Sequence, residues 1–145
     1  MNGLKFLSYN LKKIAVGIKT IERLRIRQQM LLEEYGSILH STRNMPKQKA
    51  DLIKTGSIYW IIQRNVLVRQ KILNIRSVIR SDGSKGCEIE LDQDLIKVIP
   101  TPMRPFQGWR YYMDKDIPPD LNINDDESEE IPDEVNSELI KLGLY

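Results

Sequence analysis

Only Gln63 and Arg64 separate the apolar run at residues 57–62 (SIYWII) from the longer run at residues 65–80 (NVLVRQKILNIRSVIR). Two residues leave no room for a crossover helix, so the two runs must return on each other as antiparallel neighbours. Ser81-Asp82-Gly83-Ser84 then gives the strongest hairpin signal in the chain. The returning strand, residues 87–91, places Cys87, Ile89 and Leu91 inward and Glu88, Glu90 and Asp92 outward. Helical spacing can also be read into residues 66–79. The β-branched content and the turn that follows decide for strand.

The flanks add helices. Residues 11–17 read as a short strand before a glycine stop, and Thr20 then caps a helix over residues 21–35 that Gly36 ends. Ile21, Leu24, Leu31, Leu32 and Tyr35 form its apolar stripe. Its outer face carries Arg23, Arg27 and Arg25, which is either a polyanion-facing stripe or ordinary solvated surface. Residues 37–42 extend as a strand, Pro46 opens a short helix over residues 47–55, and Gly56 closes it. Residues 95–99 form one more strand that Pro100 and Pro102 end, and residues 106–112 are an aromatic strand or a loop. This order predicts an α+β fold: a small, mostly antiparallel β-barrel or half-barrel with two or three helices and a C-terminal helix. Residues 1–10 are read as a leader, 11–120 as a single domain, 121–131 as an acidic flexible tether, and 132–145 as a helix that docks on the domain.

Charge divides the chain. Residues 1–113 carry an excess of +11, whereas residues 114–145 carry −9. A body this basic attracts polyanions, and the acidic tail suits either a role in screening that face or a protein partner. One cysteine, Cys87, and one histidine, His40, give neither a disulfide nor a Cys/His zinc site, so no metal or cofactor is expected. No apolar run approaches the ~18 residues of a membrane span. A soluble, cytoplasmic protein is the expectation.

Several groups of residues can be recognised together: His40-x-Thr42-Arg43-x-x-Pro46-Lys47, Gly56-Ser57-Ile58-Tyr59-Trp60-Ile61-Ile62, Arg69-Gln70-x-Ile72 and Pro105-Phe106-Gln107-Gly108-Trp109-Arg110-Tyr111. This set resembles the bacterial family called domain of unknown function 1489, of alphaproteobacterial type, over about residues 11–145. The family pattern has Lys-Gly where this chain has Gln63-Arg64. The resemblance implies no activity. A second similarity lies in element order: a helix ending in glycine, a strand like SIYWII, and a basic strand pair returning through an Asp-Gly turn. It is similar to the pseudouridine synthase and archaeosine transglycosylase (PUA)-like barrels, which include RNA-binding modules.

The candidate binding residues follow from chemistry. Arg43 and Lys47, near a helix start with His40 and Thr42, could hold phosphate, or else tie down their own loop. Tyr59 and Trp60 point to opposite faces of a strand, so one is core and the other either stacks on a base or packs as well, one on each side of a covered sheet. Trp109, flanked by Arg104 and Arg110, offers an aromatic and guanidinium surface or a latch. Arg69 and Gln70 would complete the face, although Glu88, Glu90 and Asp92 could neutralise the basic strand pair. The leading expectation is therefore binding of RNA or another phosphate-rich ligand. The second is an enzyme for a nucleotide-like or phosphorylated small molecule near His40, Arg43, Tyr59 and Arg69. There His40 would act as a general base with Tyr59 or Thr42 as partner. The third is an adaptor recognised through its acidic tail. No nucleotide-hydrolysis or metalloprotease motif is present.

Overall fold

A computed structural model describes residues 8–121. The expected leader up to residue 7, most of the acidic tether and the C-terminal helix lie outside the described residues. Within them the order is β1 (Tyr9–Ile14), α1 (Ile21–Tyr35), β2 (Ile38–Thr42), α2 (Lys49–Thr55), β3 (Ser57–Ile62), β4 (Asn65–Ile79), β5 (Lys85–Leu91), β6 (Ile96–Pro102) and β7 (Trp109–Met113). The fold is α+β, with two helices among the described residues.

The seven strands form one mixed sheet in the order β2-β5-β4-β3-β1-β7, with β6 also paired to β4. It is not closed, because its end strands β2 and β7 do not pair, and of the barrel or half-barrel expected from the sequence this rules out the closed form. β1 runs parallel to β3. The other pairings are antiparallel. The parallel pair exists because β1 and β3 are joined through both helices, the crossover that such a pair requires. β4 is long enough to serve two partners along one edge. Its first part pairs with β6 and its second part with β5, across a register shift between Ile72 and Asn74. β6 continues through both of its prolines, which an edge strand tolerates, whereas the sequence reading stopped it at Pro100.

The main core lies on the face of the sheet that carries Leu11, Ile58, Trp60, Val68 and Ile72, covered by Leu24 of α1, Leu52 of α2 and Ile38 of β2. The opposite face buries a smaller cluster of Tyr59, Ile61, Val66, Val98 and Tyr112. Adjacent residues of β3 thus enter different cores, as strand alternation demands. No helix among the described residues is long and apolar enough to cross a membrane.

Local chemistry explains the boundaries. The Thr20 hydroxyl accepts the Arg23 N–H at 3.0 Å, and Gly36 ends α1 at φ 77°. Gly56 ends α2 for another reason. Its backbone is extended, and a Cβ there would lie 2.6 Å from the Tyr9 carbonyl oxygen and 2.8 Å from that of Leu52. The β3–β4 turn has φ of 52° at Gln63 and 66° at Arg64, a left-handed pair of the kind that glycine or asparagine adopts at low cost. Arg64→Gly should therefore stabilise the protein by about 1 kcal/mol, read as a higher urea midpoint at unchanged slope, whereas a loss would show that the Arg64 side chain matters more than its backbone.

Candidate functional site

The residues singled out in the sequence separate into three places. Tyr59 is 3% exposed and packs edge-on against Tyr112 at 5.2 Å between centroids. Burial pushes its hydroxyl up to about 12. Trp60 is also 3% exposed, so neither aromatic is free to stack on a base. Arg69 donates to both carboxylate oxygens of Asp120 at 2.7 Å and to the Ser57 hydroxyl at 3.1 Å. That bidentate pair is anchored to the strap after β7 and leaves Arg69 little capacity for a phosphate. Arg76 is similarly paired, with Glu88 at 3.1 Å and Glu90 at 3.4 Å. Of this basic strand pair, Arg76 is thus neutralised by the returning strand and Arg69 by the strap after β7.

The loop between β2 and α2 is a second place. Trp109 donates its indole N–H to the Asn44 carbonyl at 2.8 Å and packs edge-on against Tyr111, whose hydroxyl accepts the Gln48 N–H at 3.1 Å. These two β7 side chains pin the loop, so Trp109 is a latch. Thr42 is buried opposite Cys87. Arg43 and Lys47 are exposed. The seven-residue helix behind them has no side-chain N-cap, and one of its leading N–H groups is already used by Tyr111. Arg104 is exposed, and Arg110 stacks over Phe106 at 4.8 Å on the other face of the sheet. Arg43, Tyr59 and Arg69 therefore do not converge with His40 on one pocket. Tyr59 and Arg69 line a separate polar hollow behind the sheet.

His40 itself marks the third place. Its ring stands at 87° to Trp60, 5.1 Å between centroids, and its buried Nε2 has no hydrogen-bond partner among the described residues. Beneath it, Trp60 donates to the Gln70 Oε1 at 3.0 Å, and Gln70 exchanges two amide hydrogen bonds with Gln28 of α1. His40, Trp60, Gln28, Lys13 and Arg27 line one cleft of about 140 Å³, whose remaining wall is apolar. Burial, with the Lys13 ammonium and the Arg27 guanidinium nearby, pushes the imidazole down to about 4. Burial also lowers Lys13. Among the described residues, neither the Lys13 nor the Arg27 side chain has an ion-pair or hydrogen-bond partner.

Sequence reasoning missed Lys13 and Gln28 here, and both left a signal. Lys13 occupies an inward position of β1, alternating with buried Leu11 and Ala15, and Gln28 interrupts the buried stripe of α1 four residues after Leu24. A polar residue at an inward position is informative because its burial must be compensated. Among the described residues, no group of three or more His, Cys, Asp or Glu side chains could hold a metal ion.

Fold and site together define an α+β protein with an open mixed sheet and a small cleft that bears two cations, Lys13 and Arg27, unpaired among the described residues. The chain belongs to the family described as Protein of unknown function (DUF1489), which matches residues 11–145. No curated protein and no solved structure matches it.

Proposed function

We propose that this protein binds a phosphate-rich ligand, RNA in the first instance, through the face formed by α1 and the end of β1. The observation that carries this reading is the distribution of unpaired cations. Lys19, Arg23 and Arg27 line a shallow groove that shares Ile18 and Arg27 with the His40 cleft, where Lys13 adds a fourth cation. Among the described residues these four side chains have no acidic partner, whereas Arg25, Arg69 and Arg76 are each tied to a carboxylate. Cations left unpaired along one surface favour a polyanion through counterion release. With both candidate stacking aromatics of β3 buried, contact would be to the phosphate backbone and largely independent of sequence. A PUA-like half-barrel kinship belongs to the same proposal, supported by the order of a helix ending at Gly56, β3, and a β4–β5 pair returning through Asp82-Gly83. So does a place in the cytoplasm, which rests on the sequence alone.

Fluorescence anisotropy with single-stranded RNA over a range of salt tests the reading. Affinity should fall steeply with salt, and Arg23→Gln with Arg27→Gln should each flatten the logarithmic slope by about 0.7. Arg43→Gln with Lys47→Gln should leave the slope in place, since those residues line neither the groove nor the cleft. Absence of binding at low salt, or an unchanged slope in the α1 variants, would refute it.

A further inference from the structure

The cleft inside this face differs in kind from the groove beside it. It is small, apolar on most of its wall, and contains a buried polar atom that has no partner among the described residues. At about 140 Å³ its volume is comparable with the ~150 Å³ apolar cavity that holds benzene. Leu24, Ile38 and Leu91, all buried, form part of that wall. Half-buried Lys13 and exposed Arg27 add positive charge to the same space, with no carboxylate lining it among the described residues. A phosphate alone would leave the apolar wall unused, and a neutral hydrocarbon would leave both cations unpaired.

From this juxtaposition we infer that the cleft is a binding site for a small organic anion: an apolar body of about one ring, carrying one anionic head that pairs with Lys13 and Arg27. The body fills the space between α1 and the sheet, against the edge of the imidazole and the Trp60 ring. Burial first of all keeps the His40 ring neutral, and the charged groups facing it, Lys13 from β1 and Arg27 from α1, add to the effect by repulsion. An anion between them cancels that repulsion, so binding raises the His40 pKa and takes up protons in mildly acidic solution. This inference does not rest on the RNA reading.

His40 is the single histidine of the chain, so its imidazole resonances report on this cleft without ambiguity. Benzoate, titrated into the full chain and followed by NMR, should shift those resonances saturably and raise the pKa above its resting value. Benzamide, of the same shape without the charge, and inorganic phosphate, with charge but no apolar body, should each bind about ten-fold more weakly or less, the loss of one charge-assisted or apolar contact set. Arg27→Gln, at an exposed helix position, should weaken benzoate by about ten-fold while far-UV circular dichroism and the benzamide response stay unchanged. No saturable shift at 10 mM benzoate, or equal affinities for benzoate and benzamide, or for benzoate and phosphate, would overturn the inference. A chain that takes benzoate but no RNA would refute the polyanion reading and leave this one standing.

Discussion

Gln70→Leu is expected to destabilise the protein by about 3–5 kcal/mol, at the upper end of what one substitution does. Gln70 is fully buried. Its Oε1 accepts from Trp60 at 3.0 Å and from Gln28 at 2.9 Å, and its Nε2 donates to Gln28 at 2.7 Å and to the Asp92 carbonyl at 2.6 Å. All four hydrogen-bonding positions of the amide are occupied. Leucine matches the volume roughly but strands an indole N–H, a carbonyl and the Gln28 amide where water cannot replace the lost partner, at ~1–3 kcal/mol for each group that stays unpaired. Gln28→Leu in the same chain should recover part of the loss, because removing both members of a buried amide pair costs less than removing one. Urea unfolding of the two single variants and the double variant gives the coupling. A loss under ~1 kcal/mol for Gln70→Leu would show that this network adds little.

His40 should govern the stability of the protein in mild acid. The folded imidazole titrates near 4, whereas the unfolded one titrates near the ordinary 6.5. Between these values the unfolded chain holds a proton that the folded chain does not, so stability falls as the pH drops from about 6.5 and levels off below about 4. A separation of this size is worth up to ~3 kcal/mol. His40→Phe keeps an aromatic edge against Trp60 and removes the titration, so its stability should be flat across that window. Asp120, held below the ordinary carboxylate range by its hydrogen bonds to Arg69, adds acid sensitivity only at lower pH, as it protonates. Unfolding free energies at intervals from pH 7.5 to 4.5 decide the matter. Parallel curves for the two proteins would mean that the ring is not held neutral by the fold.

Both predictions depend on contacts between distant positions. Gln28 and Gln70 are 42 residues apart, and Arg69 and Asp120 are 51 apart. Much of the site expected from the sequence rested on residues close together in the chain, such as His40 with Arg43 and Lys47, or Arg104 with Trp109 and Arg110. His40 alone of these reaches the cleft, with Trp60 beside it. Its charged neighbours come instead from β1 and α1, earlier in the chain.

What the sequence by itself determined were the features with local causes. The two-residue β3–β4 connection, the Asp82-Gly83 hairpin, the alternation along β5 and the Thr20 and Gly36 limits of α1 each follow from periodicity or from the allowed φ of a few adjacent residues. Division of β3 between two cores was legible for the same reason, because strand alternation is a property of consecutive residues. Only the tertiary structure decided that β1 joins β3 in parallel, that the sheet stays open, that Trp109 reaches Asn44, that Asp120 takes Arg69, and that Lys13, Arg27 and His40 face one space. Each of these is a choice of partner across a long stretch of chain. Side-chain pattern assigns a residue to a face, but burial of the whole core selects which faces meet, and that selection places two cations beside a buried imidazole.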